Sequence, residues 1–226
     1  KSKIASYDEK EIQTHWQWSD HKYLPHLRNY KDTAEILEIG CGPGFFLDYL
    51  KNRGYKNALG IDFSEEQIQF AVKRGVNAKT GNALDYLKNH PASFDVIIAF
   101  DFIEHFTKDE LISLSRDIFV ALKPGGMLLL HTPNGQGFFP NRIIYGDLTH
   151  LTIFSPNSVR QLFHAAGFTK VEVFETGPVP KNLKGRIRMI GWKFMKVILN
   201  ILKMIETGGG LDIWTQDMIA VCKKDS

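Results

Sequence analysis

The feature that most restricts this chain is its alternation of two hydrophobic periods. Short apolar runs occur at 35–39, 58–62, 76–80, 94–100, 126–132, 171–175 and 217–222. Segments of helical period lie between them at 45–53, 65–74, 84–89, 108–122 and 157–166. Apolar runs this short predict strands buried on both faces, and the intervening helices predict βαβ crossovers in a mostly parallel sheet. Ser64-Glu65-Glu66-Gln67 and Thr107-Lys108-Asp109-Glu110 have the pattern of capping boxes that open their helices. Arg53-Gly54, Arg74-Gly75, Lys123-Pro124-Gly125 and Ala166-Gly167 supply the matching stops.

The 226 residues suit one domain with a full core. A net charge of +3 gives no reason to expect nucleic acid as a partner. Two cysteines, Cys41 and Cys222, provide no disulfide framework, so a reducing, cytoplasmic compartment is expected. The polar start of the chain lacks the apolar core of a secretory signal, and no window reads as a membrane span. Residues 1–34, with Trp16, Trp18 and three histidines, are expected to form an N-terminal helical cover. Residues 35–226 form the main domain, interrupted by a basic insertion at 178–210.

The first strand leads into Glu38-Ile39-Gly40-Cys41-Gly42-Pro43-Gly44 and then a helix. Glycines here let the backbone turn sharply and approach a ligand, which in such sheets binds beyond the carboxyl ends of the strands. Asp62 closes the second strand 22 residues after Gly40, where a carboxylate can take ribose hydroxyls. A dinucleotide dehydrogenase would need GxGxxG, but the third position holds Phe45 counting from Gly40, or Leu47 counting from Gly42.

This loop resembles the first motif of class I S-adenosylmethionine-dependent methyltransferases. Asp62 matches their second motif, and Thr80-Gly81-Asn82-Ala83 the third. Phe94-Asp95-Val96-Ile97-Ile98 with Asp101-Phe102-Ile103-Glu104-His105 matches the fourth, and the run from Leu122 to Asn134 the fifth. The likeness covers roughly residues 35–174, and 217–223 resembles that family's reversed last strand. It implies a Rossmann-like doubly wound α/β sheet of seven strands, the last antiparallel. It implies S-adenosylmethionine as cofactor, with Glu38, Gly40, Cys41, Gly42, Gly44, Asp62, Phe63, Asn82, Ala83 and Asp101 around it. Glu38 would face the methionine part, Asp62 the ribose and Phe63 the adenine. The plainer reading of Phe63 is core packing. Asn82 stands where the family often has Asp, and its amide oxygen can still accept from the adenine amino group.

The sulfonium activates its own methyl group, so the chain's task is to align the acceptor and, for a hydroxyl, take its proton. His150, in the loop after the fifth strand, and His105, after the fourth, are the expected catalytic residues. His131 reads as a strand residue with a packing or solvent-facing ring. Asp101, Glu104 and His105 also resemble an acidic–acidic–histidine cluster associated with a divalent metal in ubiquinone-type O-methyltransferases, although the resemblance does not require the metal. The expected reaction is O-methylation of a small molecule, a lipophilic phenol or a sugar hydroxyl. A catalytically inactive cofactor-binding partner, or an N-methyltransferase of a small amine, is the alternative.

Between 178 and 206, seven basic residues face only Glu206. Arg186, Lys193, Lys196, Asn200 and Lys203 recur at spacings that draw a basic stripe on an otherwise apolar helix. Such a helix suits peripheral contact of 186–206 with an anionic membrane, at its inner face, with Trp192 and Phe194 buried in lipid. A lid, a homodimer interface and plain docking on the sheet are the other readings, and Gly208-Gly209-Gly210 reads as a flexible joint. Monomer and homodimer both remain open.

Overall fold

The computed structural model describes residues 9–226, with the side chains of 9–11, 141 and 142 left aside. Helices α1 (Glu9–Lys22) and α2 (Leu24–Leu27) precede β1 (Ile36–Ile39), α3 (Phe45–Asn52) and β2 (Ala58–Asp62). Then come α4 (Glu65–Lys73), β3 (Ala78–Thr80), α5 (Ala83–Lys88) and β4 (Phe94–Phe100). A 3-10 turn at Ile103–His105 leads to α6 (Lys108–Ala121) and β5 (Leu122–Pro133). The chain ends with α7 (Asn141–Tyr145), α8 (Pro156–Ala166), β6 (Lys170–Glu175), α9 (Leu183–Thr207) and β7 (Asp217–Lys223).

The strands form one sheet in the order β3-β2-β1-β4-β5-β7-β6. β7 runs against both of its neighbours, and β1 to β5 pair in parallel. This is the expected doubly wound arrangement. The chain winds outward from β1 to β3 and then resumes at β4 on the other side of β1, which opens a crevice at the strand ends.

Strand alternation sorts the core into two layers. Ile97, Ala99, Leu128, Leu130, Met218 and Ala220 pack on the side of α5, α6 and α8. Val96, Ile98, Met127, Leu129, Ile219 and Val221 pack with α3 and with Tyr23 and Leu27 of the N-terminal segment. Period-two side chains on strands covered on both faces produce this split, and each fully buried aliphatic residue contributes roughly 1.5–3 kcal/mol.

Caps fix the helix starts. Thr107 and Glu110 make the full reciprocal capping box. Ser64 caps through Gln67 N–H alone. The sixth helix stops one residue earlier than its periodicity suggests, because Leu122 already pairs with Phe94 in the sheet.

The N-terminal segment is helical over Glu9–Lys22 and Leu24–Leu27, continues to β1 through turns, and residues 1–8 of the expected cover lie outside the described residues. Asp20 joins it to the domain, accepting from the Arg53 guanidinium at 2.7 and 2.8 Å and from the Tyr49 hydroxyl at 2.9 Å. Tyr23 stacks on Phe100 at 4.3 Å and meets His131 edge-on, so this segment covers the ends of β4 and β5.

Candidate functional site

The glycine loop leaves β1 through three left-handed residues, Gly40, Gly42 and Gly44 (φ +69°, +50° and +75°). A Cβ on Gly40 would lie 2.5 Å from the Phe102 ring, and one on Gly44 within 2.9 Å of both Val76 and Ala71. Gly42 instead faces open space, the condition for a ligand to reach its backbone. Asp62 holds this loop, accepting from Gly42 N–H at 2.9 Å with one carboxylate oxygen and from Ser64 N–H at 2.9 Å with the other. Each oxygen keeps a second lone pair for a ribose hydroxyl. The Cys41 side chain is buried, and burial pushes its thiol well above the usual range. It packs under the loop with Leu47, Ile68 and Ala71.

Glu38 sits at the root of the loop. Burial, reinforced by the neighbouring Asp62 charge, pushes its carboxyl up to about 8, and Oε2 has no hydrogen-bond partner. A buried carboxylate left this way costs stability, and a cationic ligand group relieves it. S-adenosylmethionine, with its ammonium and sulfonium, fits this feature.

Phe63 is 86% exposed at the end of β2. Core packing is therefore not its role, and its ring is open to an adenine. Ala83 begins α5 and is buried. Asn82 corrects one expectation. Its Oδ1 accepts from Leu84 N–H at 2.8 Å and Asp85 N–H at 3.5 Å to cap α5, so the group left for adenine is the donating amide NH₂.

A polar cluster lies beyond the ends of β4 and β5. Asp101 takes a left-handed conformation (φ +47°), unusual for a residue with a Cβ and typical of functional sites. Its Oδ1 accepts from His131 Nδ1 at 2.7 Å. A carboxylate only accepts, so the hydrogen is on Nδ1 and the lone pair on Nε2. Burial opposes charge on His131, but Asp101, with Asp217 and Glu104 behind it, raises the pKa overall. Burial likewise opposes charge on Asp101, and His131, His150 and His105 bring it below its ordinary value.

His105 and His150 come together, with ring centroids 5.0 Å apart. His105 Nδ1 lies 3.2 Å from the Thr149 carbonyl and 3.0 Å from its hydroxyl oxygen. The carbonyl requires a donor, so His105 also leaves Nε2 free. Glu104 is buried. Burial pushes its carboxyl up to about 7, Oε2 accepts from the Thr132 hydroxyl at 3.1 Å, and Oε1 has no partner. Its carbonyl accepts from Leu151 and Thr152 N–H, tying the His150 loop to this turn.

Glu104, His105 and His150 place ligand atoms within 4.8 Å of one another, a donor set suited to a divalent ion. This set differs from the one read in sequence, because the Asp101 carboxylate is engaged with His131 and His150 takes its place. His131 itself is the residue that sequence reasoning set aside. The signal was available, since 127, 129 and 131 share one phase of β5 and therefore face the N-terminal cover.

His131 opens onto a cavity of about 740 Å³, whose walls include Trp18, Trp192, Trp214 and Phe139. Lys181, Lys184 and Arg188 add positive charge to its lining. The cavity lies at the carboxyl ends of β5 and β6, on the same edge of the sheet as the glycine loop, with β4 between them.

Residues 14–173 match the model of a family described as a methyltransferase domain. The chain belongs to this family. This methyltransferase is 30% identical over 137 residues to a probable S-adenosylmethionine-dependent methyltransferase of Mycolicibacterium smegmatis, covering 59% of this chain and 51% of that protein. It is 29% identical over 122 residues to a ubiquinone biosynthesis O-methyltransferase of Idiomarina loihiensis, covering 49% of this chain and 48% of that one. The chain thus spans about half the length of these curated relatives. Its fold is similar to that of a SAM-dependent methyltransferase from Archaeoglobus fulgidus, with a TM-score of 0.70, 22% identity and 94% of each chain covered. The fold, the family and the cofactor read from the motifs agree with these comparisons.

Proposed function

We propose that this methyltransferase O-methylates a small molecule, with His131 accepting the proton of the acceptor hydroxyl. The observation that carries this reading is the Asp101–His131 pair, which leaves Nε2 as a free base in a ring lining the cavity. S-adenosylmethionine, when bound, supplies an electrophilic methyl group. Glu38 and the loop from Gly40 to Gly44 receive its methionine part, Asp62 its ribose, and Phe63 and the Asn82 amide its adenine. With the cofactor in place, His131 Nε2 would take the proton of the acceptor hydroxyl as its oxygen receives the methyl group, the methyl–sulfur bond breaking to leave the neutral thioether S-adenosylhomocysteine. Asp101 then faces an imidazolium, which its carboxylate stabilises.

His105 and His150 stand beside Asp101 and are assigned to orienting the acceptor. The aromatic walls suit a phenol or the flat face of a sugar, the two acceptor types expected from sequence. The test is to supply methyl-labelled cofactor with a cell extract and identify the product by mass spectrometry. An O-methyl product, lost in His131→Ala while cofactor binding persists, supports the reading. An N-methyl product, or full activity in His131→Ala, rejects it.

A further inference from the structure

The outer face of α9 is apolar along its whole length. Ile187, Ile190, Phe194, Val197, Ile201 and Ile205 follow steps of three and four residues, which place them on one stripe, and all six are exposed. Of the basic stripe read in sequence, Lys196 and Asn200 face the domain, while Arg186 and Lys193 stay exposed. Lys196 donates to Glu175 at 2.9 Å, and Asn200 accepts from Leu211 N–H at 2.7 Å and from the Trp214 indole at 3.2 Å. Trp192 turns inward toward Glu175 and lines the cavity, which corrects its expected place in lipid. Gly208 is a left-handed helix cap, and Gly210 lies against the Asn200 side chain.

An apolar stripe of this length on an otherwise folded surface marks a contact site. Its shoulders select the partner. Arg186 and Lys193 flank it, and both are exposed. A second copy packed parallel would set these cations against their own equivalents, and one packed antiparallel would offer them only Glu206, which is already paired with Lys203 at 2.8 Å. An anionic lipid surface satisfies both features, taking the aliphatic stripe among its chains and the cations at its phosphates. No described helix is long and apolar enough to cross a membrane. We infer that α9 seats the protein on anionic lipid through its outer face.

This inference does not depend on the acceptor chemistry, and its test uses lipid binding alone. The full chain is floated with phosphatidylcholine vesicles, with and without phosphatidylglycerol. Binding is expected only when phosphatidylglycerol is present, and it should weaken as salt rises. Phe194→Ser with Ile201→Ser should reduce it more than about tenfold, with helix content by circular dichroism unchanged. Lys193→Ala should reduce it roughly fivefold. Equal binding to neutral vesicles, no binding to either, or undiminished binding of the double variant overturns the inference. So does a lipid-free dimer that the same double variant dissociates, which would make the stripe an interface between copies.

Discussion

Asp101 and His131 are joined twice across the pairing of β4 and β5: Asp101 N–H donates to the His131 carbonyl at 3.0 Å, and the His131 ring donates back to the Asp101 carboxylate at 2.7 Å. The left-handed backbone of Asp101 turns its side chain onto that ring. A short ion-paired hydrogen bond therefore sets both the tautomer and the basicity of His131.

The pH profile should report this pair. The base works only when neutral, and Asp101 holds the His131 pKa above its ordinary value. Turnover should rise with pH through a limb lying above the ordinary histidine range. In Asp101→Asn that limb should move to lower pH, and the maximal rate should fall about 10²–10⁴-fold through the misassigned tautomer. A limb that stays in place would mean another group titrates.

Comparison of single histidine variants separates the base from its neighbours. His131→Ala should cost about 10²–10⁴ in kcat. His150→Ala, which removes an orienting contact, should act mainly on acceptor KM. Steady-state kinetics with one acceptor decides this, and a larger kcat loss in His150→Ala would transfer the role of base to the His105–His150 pair.

Glu38 predicts a link between protons, cofactor and stability. Its folded pKa of about 8 lies above the ordinary carboxyl value, so the folded apoprotein holds the proton more tightly than the unfolded chain. Stability from this group is complete below the ordinary carboxyl range and is lost as pH rises toward about 8. Glu38→Gln should therefore raise the apoprotein's Tm at pH near 8 and do little at acid pH. A cationic ligand favours the carboxylate, so wild-type binding at neutral pH should release a proton. Calorimetry in buffers of different ionisation enthalpy measures that release, and in Glu38→Gln it should vanish while affinity falls about 10–100-fold.

The sheet was legible in sequence because its strands are local apolar runs between capped helices, and each glycine in the loop has a backbone reason to be there. The positions of Glu38 at the root of the glycine loop and of Asp62 against Gly42 were legible through motif spacing. His131 was not, because its partner lies 30 residues away and only strand register brings them together. The orientation of α9 was also hidden. Its periodicity shows two unlike faces, but which one docks depends on Glu175, Leu211 and Trp214, contacts that exist only after β6 and β7 have paired. Asn82 shows the same limit on a smaller scale, since the cap that occupies its oxygen follows from where α5 begins.

Phe63 provides the sharpest test of the cofactor crevice, because its ring contributes little to the fold. At 86% exposure it has almost no packing to lose, so Phe63→Ala should leave Tm unchanged within the usual scatter of surface substitutions. An adenine stacked on the ring gains about 0.5–1.5 kcal/mol, which is roughly 2–13-fold in affinity. Titration calorimetry with S-adenosylhomocysteine should show a loss of that size, and Phe63→Tyr should restore most of it by keeping a flat face at the same place. Unchanged affinity in Phe63→Ala would put the adenine elsewhere along the strand ends and would remove the Asn82 amide from its assignment as well.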